Sequence, residues 1–193
     1  MYTASMFRKI LEKDAPLLRK SSGSLAIKDI ASTRVQELIR DMRETLEREE
    51  DGVALAAPQV GVLKRIFIVS PRAFLPRDRE ISPEEYTTLA AALREREMLV
   101  YINPEIVKRS RESRELEEGC LSVRWLYGKV LRATRVSVRA YDENGKPFTR
   151  GASGLLAEIF QHEIDHLDGI LFTDKAKNVR NIPPAEQRVS SIT

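Results

Sequence analysis

The chain has 193 residues, of which 42% are hydrophobic and 32% charged, as expected of a folded domain with its own core rather than a disordered segment. Its 32 basic and 29 acidic residues leave a net charge of +3, which predicts a surface of mixed sign and argues against a dedicated nucleic-acid face or DNA as a partner. A single cysteine excludes an intramolecular disulfide, and with no apolar signal core and no stretch of membrane-spanning length we expect a cytoplasmic protein without a membrane partner.

The first half of the chain predicts two helices and a buried strand. Apolar residues at helical spacing indicate a helix over 35–46, and the apolar run 65–69 predicts a buried strand. A capping box with proline at the first helical position begins at Ser82 and predicts a second helix. The apolar stripe of that helix suits core packing or a partner surface, and the sequence leaves both open. It lies in the segment 71–98.

The second half predicts antiparallel strands followed by a long helix. Short strands at 100–102 and 106–107 are expected on either side of a turn at 103–104. Alternating residues at 136–140 lead to the hairpin signal 142–145, and 154–167 predicts a helix that Gly169 ends. We expect the polar tail, 183–193, to be flexible. The predicted fold is a single α+β domain over residues 1–193, with antiparallel β-strands packed around a central metal-bearing helix.

The only two histidines of the chain, His162 and His166, lie four residues apart in that helix. Residues at this spacing share one helix face, so both imidazoles can reach the same metal ion. Glu163 is rotated about 100° from His162, which lets it contact a water at the metal without being a ligand. The only cysteine, Cys120, would complete three ligands and leave a fourth position open, as in catalytic rather than structural sites.

Other zinc proteins share the H-E-x-x-H pattern. The metzincin extension places Phe172 where its third histidine belongs, and the only later glutamate, Glu186, follows two prolines near the end of the chain. A structural zinc module would need a fourth cysteine or histidine, which the chain lacks. A zinc peptidase and a structural zinc-binding module nevertheless remain the alternative hypotheses.

A third segment, Gly-Val-Ala-Leu-Ala-Ala-Pro-Gln-Val-Gly at 52–61, favours a more specific interpretation. Together with Glu-Gly-Cys-Leu-Ser at 118–122 and His-Glu-Ile-Asp-His at 162–166, it resembles the three motifs of peptide deformylase, in the same order. The segment 71–98 is longer than in many members of that family. Ala54 also departs from the family pattern, which has glycine there. A left-handed backbone at this position would cost about 1 kcal/mol or more with alanine, whereas an extended one would still present its N–H and C=O to a peptide.

The resemblance implies an activity and a role for each motif residue. The family hydrolyses the N-formyl group from the N-terminal formylmethionine of new polypeptides and releases formate. The implied metal ligands are Cys120, His162 and His166. Glu163 would transfer protons, and the Leu121 backbone N–H and the Gln59 side-chain amide would stabilise the oxyanion.

The resemblance also implies how the substrate binds. The segment Gly52, Val53 and Ala54 would form a peptide-binding edge whose main-chain hydrogen bonds tolerate many sequences. Val53, Leu155 and Ile159 would line an apolar methionine pocket. Gly119 is the remaining substrate-binding residue that we expect.

The ligand type and the resemblance predict different metals. Ligand type alone predicts Zn²⁺, whereas the resemblance implies one Fe²⁺ per chain that Zn²⁺, Ni²⁺ or Co²⁺ can replace. The expected partners are N-formylmethionyl nascent peptides, and a transient contact with the ribosome is left open. Formylated initiation indicates a bacterium or an organelle derived from one, and without a transit-like leader in the sequence we expect a bacterial protein.

Overall fold

The computed structural model describes residues 7–75, 82–94 and 96–184. Over these residues the chain forms long helices, short 3-10 turns and strands. The helices and strands are, in chain order, α1 (Thr33–Glu47), β1 (Ala54–Ala56), β2 (Ile66–Val69), α2 (Pro83–Arg94), β3 (Leu99–Arg109), β4 (Ser113–Cys120), β5 (Val123–Ala133), β6 (Arg135–Tyr141), β7 (Pro147–Ser153), α3 (Gly154–Leu167) and β8 (Lys177–Asn181).

The strands form two antiparallel sheets. The larger sheet has the order β1-β2-β3-β6-β7, so β1 is an edge strand, and the smaller has the order β4-β5-β8. Every pair of neighbouring strands is antiparallel. The predicted α+β class is therefore confirmed, and no helix of the described residues is long and apolar enough to cross a membrane.

The larger sheet lies between α1 and α3. Alternate residues of a strand point to opposite faces, so Ile66 and Ile68 of β2 pack with the α1 side while Phe67 and Val69 pack with the α3 side. This explains why β2 is a continuous apolar run with both faces buried. On the α3 side, Phe67 stacks on Tyr101 at 4.6 Å between ring centroids. The packing places α3 in the centre of the domain, as predicted.

The prediction of a turn at 103–104 is wrong. Strand β3 continues through Asn103 and Pro104, and its register against β6 shifts between Ile102 and Glu105. Asn103 has a φ of 51°, and its side chain pairs with the backbone of Leu25 through two hydrogen bonds. The turn-forming residues therefore make a bulge, which bends the strand without ending it. The hairpin turn at 142–145 and the helix over 154–167 are confirmed.

The lengthened segment and the tail are described only in part. Within 71–98, a 3-10 turn spans Pro71–Phe74 and α2 follows, while residues 76–81 and 95 lie outside the described residues. The apolar stripe of α2 is divided, since Leu93 is buried and Tyr86 is 47% exposed. In the predicted tail, residues 185–193 lie outside the described residues.

The end of α3 is fixed against the N-terminal part of the chain. Gly169 has a φ of +76°, and a Cβ there would lie 2.8 Å from the backbone C and O of Arg19. The nearby backbone N–H of Ser22 donates to the Leu167 carbonyl at 2.8 Å. Only glycine fits this left-handed position in contact with a neighbouring backbone.

We predict that Gly169→Ala destabilises the protein by more than about 2 kcal/mol, because it adds a backbone clash to the cost of a left-handed alanine. Gly145→Ala is the matched control: its φ is +77°, but a Cβ there would meet nothing closer than 3.9 Å. The control should lose only about 1 kcal/mol. Urea unfolding of both variants measures the difference, and equal losses would show that the contact with Arg19 is unimportant.

Candidate active site

Helix α3 presents His162, Glu163 and His166 toward the smaller sheet. His166 is buried, with 1% of its surface exposed, and the two imidazole centroids are 4.9 Å apart. Leu155 and Ile159 precede the histidines on the same side of the helix, as the spacing predicts. The helix therefore combines apolar residues that pack it into the core with two nitrogen donors at its inner end.

Cys120 reaches the histidines from the end of β4. The register between β4 and β5 shifts between Glu118 and Cys120, and a tight turn at Leu121 and Ser122 connects the two strands. The Cys120 Sγ lies 3.2 Å from His166 Nε2. Gly119 provides the space for this bend, because a Cβ there would lie 2.8 Å from the Tyr127 ring.

The three donors fit a single metal ion. Their ligand atoms all lie within 4.8 Å of one another. Two atoms bonded to one ion at about 2.0–2.3 Å can be at most about 4.6 Å apart, so little or no movement is needed. Among the described residues no other group of histidine, cysteine, aspartate and glutamate side chains converges in this way.

The charges at the donor set favour a thiolate. Burial alone would raise the pKa of the Cys120 thiol, but the two imidazoles outweigh it and lower that pKa to about 5. Burial opposes protonation of His162, yet hydrogen bonds that the ring donates to Cys120 and Glu118 raise its pKa well above the usual value. Thiolate is the form in which cysteine binds metals, so the surroundings of Cys120 prepare it as a ligand.

A buried carboxylate that the sequence analysis did not assign orients the first histidine. Glu118 is 2% exposed, and its Oε2 lies 2.8 Å from His162 Nδ1. A hydrogen bond at Nδ1 leaves Nε2 of the same ring free for a metal. Glu118 and Cys120 both contact the histidines of α3, although the register of β4 shifts between them. Their spacing of two residues was a usable signal, because alternation along a predicted strand would have placed both side chains on one face.

Arg132 of β5 holds this carboxylate in place. It donates to both oxygens of Glu118, at 2.6 and 3.0 Å, and to Asp165 of α3 at 2.6 Å. Burial would raise the pKa of Glu118, but Arg132 and His162 lower it to about 2, so the carboxylate stays ionised. Arg132 is only 4% exposed. The sequence analysis missed it because β5 was not predicted and arginine is seldom buried.

Glu163 lines the cleft beside the donor set. Burial raises the pKa of its carboxyl to about 7, although His162 and His166 both oppose the shift. Its Oε2 is buried and has no hydrogen-bond partner among the described residues. A carboxyl group that has a pKa near 7 and an oxygen available for hydrogen bonding can accept a proton and return it.

Gln59 lies in the first turn after β1, with its amide group fixed at both ends. Its Oε1 accepts from the Ala56 backbone N–H at 2.8 Å, and its Nε2 donates to Ser122 Oγ at 3.1 Å and lies 3.6 Å from Cys120 Sγ. The amide orientation therefore directs the N–H₂ group toward the candidate metal centre.

A cleft of about 370 Å³ opens over the donor set, within the usual size of a small-ligand site. Every predicted site residue except the deeper His166 lines it: Gly52, Val53, Ala54, Gln59, Gly119, Cys120, Leu121, Leu155, Ile159, His162 and Glu163. Gly52 is tightly enclosed, since a Cβ would lie 2.9 Å from the Leu46 side chain. The structure therefore brings the predicted site together.

Ala54 lies in the extended backbone of β1, paired with Val69. The three non-glycine residues with positive φ are elsewhere in the described chain. Replacing the glycine of the family pattern by alanine therefore adds no backbone strain here, and the edge of β1 keeps its N–H and C=O groups.

An α+β domain in which an H-E-x-x-H helix meets a cysteine from a strand defines a candidate metal-dependent hydrolase. The family model of polypeptide deformylase matches residues 7–181. The chain therefore belongs to the peptide deformylase family, whose members are hydrolases of linear amides other than peptide bonds.

Known relatives share most of their length with this chain. A peptide deformylase of Thermomicrobium roseum is 39% identical over 188 residues, which cover 95% of each protein. The crystal structure of a peptide deformylase from Legionella pneumophila superposes with a TM-score of 0.72 at 38% identity, covering 89% of this chain and 87% of that one. A Met-Ala-Ser-bound class I type b peptide deformylase from Acinetobacter baumannii gives 0.72 at 32% identity, with coverages of 89% and 99%.

The site does not support the two alternative hypotheses, a zinc peptidase and a structural zinc-binding module. Phe172, at the metzincin histidine position, is 1% exposed and packs in a small core below the second sheet. Glu186 lies outside the described residues. The described residues offer three metal donors rather than the four of a closed structural site.

We predict that Glu118→Gln lowers metal affinity by about 10- to 100-fold, because the amide places a donor against Arg132 and weakens the hold on His162. Competition with a chelator measures the affinity. Glu117→Gln is the matched control, since Glu117 is the exposed neighbour on β4 and pairs with Arg180 at the surface. Unchanged affinity in folded Glu118→Gln would contradict the orienting role.

Proposed function

We propose that this protein removes the formyl group from the N-terminal formylmethionine of newly synthesised polypeptides and releases formate. The observation that carries the proposal is the convergence of Cys120, His162 and His166 beside Glu163 at the floor of a cleft. Membership of the peptide deformylase family supports the same reaction.

The three donors would hold one divalent ion, which supplies a Lewis acid and makes water nucleophilic near neutral pH. Glu163 takes the proton of the attacking water and passes it to the departing amine nitrogen as the C–N bond breaks. Water thus adds to the formyl carbon, and formate and a free amino terminus leave.

Negative charge develops on the formyl oxygen during attack, and donors fixed beforehand stabilise it best. The Gln59 amide is held by Ala56 and Ser122 with its N–H₂ group toward the site. The Leu121 backbone N–H follows Cys120 directly and would be the second donor. Each such donor is typically worth about 3 kcal/mol in the transition state.

The open edge of β1 suits an extended peptide. Strand β1 pairs only with β2 in its sheet, and Val53 and Ala54 line the cleft at its start. A peptide added along this edge would bind by main-chain hydrogen bonds, which tolerate many sequences. Val53, Leu155 and Ile159 would contact the methionine side chain. The tripeptide Met-Ala-Ser bound to the Acinetobacter baumannii enzyme supports a short peptide product of this kind.

The ion that we propose in the cell is Fe²⁺, with Zn²⁺, Ni²⁺ or Co²⁺ as replacements. Zn²⁺ has the higher affinity for such donors, so Zn²⁺ would replace Fe²⁺ when both ions are present during purification. We further propose a cytoplasmic enzyme of a bacterium that meets N-formylmethionyl nascent peptides, in transient contact with the ribosome.

Formate release from formyl-Met-Ala-Ser tests this function. Protein loaded with Fe²⁺ should be assayed without oxygen, because an iron-bound thiolate is open to oxidation. We expect formate and Met-Ala-Ser in equal amounts. Cleavage of internal peptide bonds in casein without formate release would instead support the zinc peptidase.

We predict that Glu163→Ala keeps a full complement of metal but loses at least about 100-fold in kcat/KM, because Glu163 moves protons and is not a ligand. Glu158→Gln is the control, since Glu158 lines the same cleft one turn earlier. It should stay within a few-fold of the wild type. A folded Glu163→Ala protein without metal would make Glu163 a ligand and the mechanism wrong.

We predict that Gln59→Glu lowers kcat by about 100-fold or more and changes KM only a few-fold, because a carboxylate keeps the contact with Ala56 but loses the donor. The control is Gln161→Glu. Gln161 is buried and bonded to the backbone of Ala133 and Ala157, so its change should lower the thermal midpoint more than the rate. A folded, metal-loaded Gln59→Glu enzyme with wild-type kcat would remove Gln59 from the site.

A further inference from the structure

A second, polar cleft lies on the larger sheet, on the face of β6 that is turned away from α3. It has a volume of about 480 Å³ and lies over the ends of β3, β6 and β7. Val138 and Ala140 of β6 are buried on the opposite face of the sheet. The residues that line the cleft are Lys108, Ser110, Arg135, Val136, Ser137, Gly151, Ala152 and Ser153. The cleft shares no residue with the candidate active site.

Two cations in this cleft have no anionic partner among the described residues. Lys108 pairs with Ser137 in the register of β3 and β6, and Arg135 is two residues from Ser137 on the same face. Such diagonal neighbours are about 7–8 Å apart, which allows both to reach one phosphate group. Neither cation forms an ion pair with another described residue. The neighbouring acids are engaged, since Glu105 pairs with Arg139 and Glu112 with Arg114.

The rest of the lining is neutral and offers hydroxyl groups. The hydroxyls of Ser137 and Ser153 form no hydrogen bond with the described residues, whereas Ser110 is bonded to the Glu112 carbonyl. Gly151, opposite Ser137 in the sheet, leaves the floor open, because a Cβ there would be 3.9 Å from the nearest atom, Ser137 Oγ. Two hydroxyls beside two cations, all four without a side-chain partner in the part of the chain that the structure describes, can contact a phosphate and an adjacent ribose 2′-hydroxyl.

The positive charge continues beyond the cleft. Arg111, in the connection from β3 to β4, is exposed and forms no ion pair with another described residue. Arg109 is paired with Val136 and therefore points to the face of the sheet opposite Lys108, so it is not counted here. A cationic stretch of this kind suits a ligand with several successive phosphates better than a single free phosphate.

We propose that this cleft binds the phosphodiester backbone of an RNA strand. Lys108 and Arg135 contact phosphate oxygens, and Ser137 and Ser153 contact ribose hydroxyls. Base edges are not read, so binding is independent of sequence and weakens steeply with salt. The proposal does not rest on the deformylase reaction. It also departs from the expectation of an evenly mixed surface, which total charge alone suggested.

The test is fluorescence anisotropy with the full-length, metal-loaded protein and a labelled 20-nucleotide single-stranded RNA of mixed sequence, from 50 to 200 mM KCl. The double variant Lys108→Ala/Arg135→Ala should bind at least tenfold more weakly at 50 mM. The slope of log K against log salt should also fall in magnitude by about 1.4, since two phosphate contacts to a single strand are lost. Formate release should be unchanged, which shows that the variant folds.

The matched control is Lys13→Ala/Lys28→Ala, which removes the same charge from two exposed lysines without ion pairs among the described residues. It should bind RNA within about twofold of the wild type. Equal weakening of both double variants, or no RNA binding by the wild type at 50 mM, would overturn the proposal. Ser137→Ala/Ser153→Ala should weaken RNA more than DNA of the same sequence; equal weakening of both would overturn the choice of RNA.

Discussion

Arg132 is the residue on which the geometry of the metal centre depends. It lies on β5, donates to both oxygens of Glu118 on β4 and to Asp165 on α3, and is almost completely buried. These bonds join the strand that carries the cysteine to the helix that carries the histidines. Because Cys120 and His162 come from different elements, their separation is set by how those elements dock. The arginine fixes that docking and, through Glu118, the orientation of the His162 ring.

A buried ion network of this kind is poorly explained by stability alone. Removing three charges from water costs several kcal/mol for each ion, and apolar replacements of similar volume are often equally stable. Removing one partner leaves an uncompensated buried charge and typically costs about 3–5 kcal/mol. The network instead fixes the positions of the carboxylate oxygens. This matters because a metal site requires accurately placed donor atoms. We therefore regard it as positioning the site.

The sequence predicted the parts of the site that belong to a local pattern or to a motif of the family. The spacing of His162 and His166 gave the helix face, and the deformylase motifs gave Cys120 and Gln59. It did not reveal Arg132, whose partners are 14 and 33 residues away and come together only when β4, β5 and α3 pack. The turn expected at Asn103 was wrong for a related reason, because pairing with β6 and the contact with Leu25 carry the strand through residues that favour turns.

X-ray absorption at the zinc edge of zinc-loaded protein tests the central claim most directly, because it reports the atoms bound to the ion. The account predicts one sulfur ligand at about 2.3 Å and two nitrogen ligands at about 2.0–2.1 Å, with the remaining position filled by oxygen. The sulfur ligand should disappear in Cys120→Ser. A wild-type spectrum with only nitrogen and oxygen ligands would contradict the account, since the ion would then lie away from the point where β4 meets α3.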